Sequence, residues 1–358
     1  MTTLWTVLQF VIVFGLLVFF HEMGHFLTSK ALGIEIEEFG FGYPPRLVKL
    51  FSWKGTDVTL NWIPFGGFVR PKGEGDETVE GGMAAAPAWK RFLVLVSGAG
   101  MNFLIGILVL VLMFSAIGSP VQNQALITEI SPNSPAANAP LQVGDVVTAI
   151  NGRSFADLTQ MSKLIQENIG VPLTISVLRR GERLDLELTP RLNPPEGEGS
   201  VGIWYTNAYA PLPFIKALGS AFQTFGNQAK QTILLPYNLI AGKISGDEAR
   251  LVGIKGIFDI FSNASELDQS SAVAAATPLP VFRLSVISTV SIALGLTNLL
   301  PIPALDGGQI LFLLPEFLFK KRIPQKVANA INSVFFILLI ALMFFITVQD
   351  FLHPIIQP

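Results

Sequence analysis

An apolar run of bilayer length that ends in three ionisable groups leaves this chain few ways to fold. No residue from Met1 to Phe20 is charged, Leu4 to Phe20 is almost wholly hydrophobic, and His21-Glu22-Met23-Gly24-His25 follows directly. On a helix, residues four apart share a face, so His21 and His25 can grip one metal ion. Glu22 lies beside them, where it can take a proton from a water held at that ion. The bland alternative is a helix end whose His and Glu reach the headgroups. Ionisable groups at membrane depth are expensive to bury, which favours the metal site.

Composition agrees with a membrane setting. Of 358 residues, 50% are hydrophobic and only 14% charged, too apolar a balance for a soluble chain of this length. The net charge of −2, with no basic stripe interleaved with aromatics, gives no sign of a nucleic-acid partner. The absence of cysteine excludes disulfides, thiolate zinc sites and a cysteine nucleophile. The first segment has no basic start and no small-residue cleavage site, so it reads as a retained span rather than a signal peptide.

The expected organisation is four transmembrane helices over 1–32, 92–118, 284–313 and 327–350. A Gly- and Pro-rich loop, 33–91, joins the first two, and a polar region of domain size joins the second and third. Eight Lys and Arg residues lie between Lys30 and Arg91, and Lys320, Lys321, Arg322 and Lys326 lie between the last two spans. The N-terminal tip and the tail after Asp350 have none. Both basic loops therefore belong in the cytoplasm, with the termini and the polar region outside.

That exterior region contains a readable module over 121–192. Ala125 to Ile130 alternates like a strand, Gly144-Asp145 opens a second strand, and Asn151-Gly152 makes a turn. Asp157 to Asn168 reads as a short amphipathic helix, and Leu173–Leu178 with Arg183–Leu188 reads as a hairpin around Arg180-Gly181. Any small mixed α/β domain could share this order. The remainder, 193–283, reads as an exterior linker and an amphipathic helical region. Within it Phe214 to Ile240 suits either a membrane surface or a packing face.

A catalytic zinc needs three protein ligands and an open position. The only third histidine, His353, lies at the outer end of the fourth span, at the wrong face. With no cysteine, a carboxylate must serve, and Asp306 is reached at comparable depth after Asn298-Leu-Leu-Pro-Ile-Pro-Ala-Leu305. Pro301 and Pro303 break helical hydrogen bonding, and Gly307-Gly308 is expected to let the backbone turn tightly. Broken backbone at membrane depth belongs beside a protein-lined or water-filled cavity. A helix-capping role for Asp306 is the alternative.

The pairing of His-Glu-Met-Gly-His with Asn-Leu-Leu-Pro-Ile-Pro-Ala-Leu-Asp-Gly-Gly closely resembles the site-2 protease family of intramembrane zinc metalloproteases, in its RseP-like bacterial group. Asn61-Trp-Ile-Pro-Phe-Gly-Gly-Phe-Val69 resembles the family's P-x-G-G-x-V segment, and Ser97-Gly-Ala-Gly-Met-Asn102 its G-P-x-x-N motif. Leu251 to Ile257 is similar to the segment ahead of the third span, and the exterior module resembles a PDZ domain, which binds an extended peptide along a sheet edge.

The resemblance implies a multi-span α-helical membrane protein with a membrane-reentrant β-hairpin within 33–91 and one exterior PDZ-like domain. It implies one Zn2+ held by His21, His25 and Asp306, with Glu22 as general base. Asn298 would contact the substrate backbone, Gly66 and Gly67 would hold the substrate as an added strand, and Asn102, Pro301 and Pro303 would lie close by. The implied substrates are single-span membrane proteins, trimmed first by another protease, such as an anti-sigma factor or signal-peptide remnants. The implied partners are such substrates, a peptide or ectodomain at the PDZ-like module, and the lipid bilayer of a bacterial inner membrane.

Two departures stand out. Only one PDZ-like string is present where relatives carry two, and Gly98-Ala99 replaces Gly-Pro. Val201 to Tyr205 resembles a PDZ ligand-binding strand in permuted order. A metal-ion carrier using the same ligands and a membrane-anchored PDZ adaptor are the competing classes. The first would want more intramembrane acids along a path, the second a damaged motif.

Overall fold

The computed structural model describes residues 2–73, 76–243, 250–270 and 279–356. Parts of the expected 193–283 region, 244–249 and 271–278, lie outside the described residues. Four helices are long and apolar enough to cross a membrane: Leu4–Ala31, Ala88–Ala116, Val281–Asn298 and Gln325–Leu352. The chain divides into two compact units.

The first unit comprises Met1–Leu110, Ala221–Asn263 and Ser285–Pro358. Helix α1, Thr2–Ala31, is apolar all round, as a helix solvated by lipid must be. It is followed by β1, Ile36–Trp53, and β2, Thr56–Pro71. These two strands pair antiparallel and fold back into four lanes. Phe39 pairs with both Val69 and Val58, and Phe41 with both Gly67 and Leu60. The 56–61 stretch pairs in turn with 46–53. Glu38 ties the lanes together. It takes Arg46 at 2.7 and 2.9 Å, Arg70 at 2.9 Å and the Thr59 hydroxyl at 2.8 Å, one partner in each of the other three lanes.

Helix α2, Ala88–Ala116, is met by a helix over Val281–Asn298 that carries small polar residues on the facing side. The Ser288 hydroxyl donates to the Gly106 carbonyl at 3.0 Å, and Ser291 to the Asn102 carbonyl at 2.7 Å. The expected third span to 313 is corrected. Its helix stops at Asn298, and a new helix runs over Asp306–Phe319. Pro301 and Pro303 force the break, since each lacks an N–H and biases its predecessor out of the helical region. Nor do Gly307 and Gly308 form a turn. Both are helical, and an added Cβ would sit 2.2 Å from the Leu300 oxygen or 2.3 Å from the Ile302 oxygen. Their lack of side chains lets the new helix press against the 299–303 backbone.

The second unit, Val111–Ser220 and Ala264–Leu284, holds an antiparallel five-stranded sheet. Its strands are β3 (Ser119–Ile130), β4 (Val146–Ile150), β5 (Leu173–Arg179), β6 (Glu182–Leu188) and β7 (Ile203–Ala210), in the order β6-β5-β4-β3-β7. Helices α3, Pro135–Asn138, and α4, Leu158–Gln166, begin at Ser134 and Asp157, whose side chains accept from Ala137 N and Gln160 N. Asn151-Gly152 and Arg180-Gly181 all have positive φ, which suits the tight turns expected there. Ile127, Val147, Met161, Ile175 and Val177 form a fully buried core. Asp145, also buried, is held by Arg179 through two 2.7 Å bonds and by the Gln142 N–H. The sheet extends past the expected limit of 192. β7 pairs along β3 from Ser119 opposite Ala210 to Ile130 opposite Ile203, because the apolar face of β3 needs a neighbour on that side.

The remaining helices are α5 (Phe214–Ile240), α6 (Ile254–Ser270), α7 (Val281–Asn298), α8 (Asp306–Phe319) and α9 (Gln325–Leu352). At the end of α9, Asp350 is fully buried. It accepts from Arg250 at 2.9 Å and from the Gly253 and Gly256 N–H groups at 2.9 and 3.0 Å.

Candidate metal centre

The third turn from the end of α1 places His21 and His25 on one face, and the first turn of α8 brings Asp306 to them. His21 Nε2 and His25 Nε2 are 3.2 Å apart, and Asp306 Oδ2 stands 3.1 and 3.4 Å from them. Among the described residues this is the one cluster of three metal-ligating groups. His353 lies exposed beyond α9 and takes no part, its carbonyl accepting from Arg250.

The tautomers are set by what lies behind the rings. His25 Nδ1 donates to the Val94 carbonyl at 2.8 Å, leaving the Nε2 lone pair for the cluster. His21 Nδ1 faces the Asn102 amide at 3.3 Å. Turning that amide over brings Oδ1, otherwise buried without a partner, onto Nδ1–H. In that orientation both Nε2 lone pairs face Asp306 Oδ2, which is itself buried without a hydrogen-bond partner. Such an arrangement fits a cation. A tetrahedral zinc with bonds of ~2.0–2.1 Å separates its ligand atoms by about 3.3–3.4 Å, which matches the spacing here.

The space beside the cluster is left by a missing side chain. A Cβ on Gly98 of α2 would lie 2.4 Å from His25 Nε2 and 2.8 Å from His21 Cε1. A Cβ on Gly24, inside the histidine motif, would lie 2.3 Å from the Ser97 carbonyl oxygen. The two helices therefore touch backbone to backbone beside the cluster.

His21, Glu22, His25 and Asp306 all line a cavity of about 630 Å³, with Gln309 and Asn332 among its other polar walls. At its rim Glu316 pairs with Arg91 and, at 3.2 Å, with Arg322. Gly66, with φ +70°, and Gly67 lie against α1 at Val18, Phe19 and Glu22, which brings the expected strand edge beside the carboxyl group. Asn298, half-buried at the end of α7, and Pro301 and Pro303, in the break, do not line the cavity. Asn102, expected near the substrate, instead faces His21. Neither that contact nor the role of Gly98 has a signal in spacing or composition. Both depend on the α1–α2 crossing.

A family description, Peptidase family M50, matches residues 9–342. The chain is 30% identical over 347 residues to a protein of Clostridium perfringens (strain 13 / Type A) that carries the name zinc metalloprotease, covering 96% of this chain and 97% of that one. It is 25% identical to "Regulator of sigma-W protease RasP" of Bacillus subtilis (strain 168), over 96% of this chain and 98% of the relative. To "Zinc metalloprotease RasP" of Geobacillus kaustophilus (strain HTA426) it is 27% identical, over 97% and 98%. The two histidines of α1, the carboxylate of α8 and the four apolar helices thus sit in a chain that belongs to peptidase family M50, the site-2 proteases, and is an integral membrane zinc metalloprotease.

Proposed function

We propose that His21, His25 and Asp306 hold the zinc and that Glu22 is the general base for cleavage of single-span membrane proteins within or near the bilayer. The observation that carries this reading is the convergence of His21 Nε2, His25 Nε2 and Asp306 Oδ2, 3.1–3.4 Å apart, on a cavity that Glu22 also lines. Zinc, when bound, lowers the pKa of water to about 7 and polarises a carbonyl. Val94 and Asn102 hold the two imidazoles so that their Nε2 lone pairs face inward. Glu22 takes the proton of the attacking water at its carboxylate and passes it to the leaving amine.

A helical substrate hides its peptide bonds in its own hydrogen bonds, so it must be held extended. The β2 stretch around Gly66-Gly67 serves as the edge to which an extended segment adds, beside Glu22. The sheet of β1 and β2 enters the membrane from the cytoplasmic side, consistent with exposed Tyr43, Trp53 and Trp62. Asn298 clamps a substrate peptide group, having both a donor and an acceptor. The five-stranded sheet is an exterior PDZ-like module that screens substrates by size. The named relative in B. subtilis regulates sigma-W, and a membrane-bound anti-sigma factor, pre-trimmed by another protease, is the substrate class we assign here. The bacterial inner membrane is the assigned location.

Glu22→Gln tests the reading. Full-length variant protein should keep zinc at the wild-type stoichiometry while cleavage of a trimmed single-span substrate falls by about 10²–10⁴-fold. The intact substrate should then co-purify with it. Unchanged cleavage would exclude Glu22 as the base.

A further inference from the structure

Asp306 is only as well placed as the seven residues that lead into it. The break between α7 and α8 is fixed by backbone bonds such as Leu300 N–H to the Thr297 carbonyl and Leu305 N–H to the Ile302 carbonyl, and by few side chains. Leu305, at the N-cap of α8, makes no side-chain capping bond. Ala304 holds φ +75°, a left-handed conformation that an alanine rarely adopts and cannot support with a side-chain hydrogen bond of its own. Asn133 and Asn151, also at positive φ, are residues that tolerate that region. The Leu305 N–H donates to the Ile302 carbonyl at 3.1 Å, closing a turn with Pro303 and Ala304 at its centre, and a further hydrogen bond reaches Ala304 from outside the loop.

The holder is on α9. The Ala304 N–H donates to Asn332 Oδ1 at 3.1 Å. Among the described residues, no other side chain hydrogen-bonds to the backbone of 299–305. Asn332 lines the same cavity as His21, His25 and Asp306. No residue in the membrane window of α9 is buried, and α9 supplies no member of the metal cluster. The loop also has no slack. Gly307 and Gly308 press on the Leu300 and Ile302 oxygens, so a change at Ala304 is passed to the first turn of α8, where Asp306 lies.

We propose that Asn332 is a positioning residue for zinc binding: it holds Ala304 in the left-handed conformation and so sets Asp306 against the two histidines. The inference rests on Asp306 as a ligand. It gives the fourth span a part in the metal centre without a ligand of its own.

The test is zinc affinity of the purified full-length chain in detergent, measured by competition with a chelating dye. Asn332→Ala should weaken zinc by about 10–100-fold, the usual loss when a ligand's support is removed. Ala304→Gly in the same chain should recover most of that loss, because glycine takes positive φ without help. A merely structural role for Asn332 would not be rescued at residue 304. Wild-type affinity in a folded Asn332→Ala variant overturns the proposal. So does a double variant that stays weak or fails to fold, since glycine removes the one strain that Asn332 offsets. Asp306→Ala is measured in parallel. If it keeps wild-type zinc, the ligand assignment falls and this inference with it. If it loses zinc while Asn332→Ala does not, only this inference falls.

Discussion

The two units solve one problem in opposite directions. In the sheet unit, Ile127, Val147, Ile175 and Val177 are fully buried, and charged side chains such as Arg183 and Asp185 are more than half exposed. In the helical unit the large apolar side chains face out. Phe344 is 71% exposed and Ile337 66%, while Asn102, Ser288, Ser291 and Asp350 are at or below 1%. Asn102 faces His21, Ser288 and Ser291 donate to carbonyls of α2, and Asp350 accepts from Arg250, Gly253 and Gly256. The difference teaches that burial follows the solvent. Where lipid replaces water, apolar surface costs nothing to expose and hydrogen bonds become the specific contacts between helices.

If the polar interior of the helical unit is where the chemistry resides, the smallest intrusion there should have the largest effect. Gly98→Ala puts a methyl group where His25 Nε2 and His21 Cε1 leave no space. Zinc affinity should fall by on the order of 100-fold, measured by metal analysis after dialysis against a weak chelator. Retained zinc would mean that the α1–α2 crossing is looser than described.

The sheet unit should behave in the contrary way. Ser119 stands opposite Ala210 at the end of the β3–β7 ladder, so residues 120–209 leave and re-enter at one place. Replacing them with a short Gly-Ser linker should leave zinc content unchanged and cleavage of a trimmed substrate at the same order of magnitude. Some cleavage of an untrimmed substrate should appear. A zinc-loaded variant that cuts neither would show that the sheet delivers substrate rather than screens it.

A smaller effect is expected in the β1–β2 lanes. Arg46, with Thr59 and Arg70, holds the Glu38 carboxyl below its ordinary value of 4.5, against the opposing effect of burial. A carboxyl whose pKa is lowered on folding contributes stability above its unfolded value and loses it as pH falls through the folded one. The melting temperature of wild type should therefore exceed that of Glu38→Gln at pH 7, and the gap should close as pH drops below about 4.5. A gap that is constant with pH would assign Glu38 a packing role instead.

The sequence made some of this legible and not the rest, for physical reasons. The His21–His25 spacing is a local property of one helix, and Asp306 followed from the lack of other ligands at that depth. The turns at Asn151-Gly152 and Arg180-Gly181 are equally local. What could not be read depends on partners distant in the chain. Val58 and Val69 share Phe39 as a neighbour, which gives the hairpin four lanes. β7 was legible only as the strand-like Val201 to Tyr205, and its place beside β3 was not. Gly307-Gly308 looked like a turn because glycine serves both turns and close backbone approach, and only the neighbours distinguish them. Asn102 and Asn332 are amides in apolar helices, and nothing local marks which ring or loop each one faces.

Gly24 occupies a position that the histidine motif itself leaves free. The proposed chemistry asks of this motif only His21, Glu22 and His25. Yet the Ser97 carbonyl 2.3 Å from where its Cβ would be means that α2 chose this letter. The motif is thus half of a lock whose other half is cut into a different span. Moving His-Glu-Met-Gly-His onto an unrelated transmembrane helix would carry the ligands but not the groove that receives them.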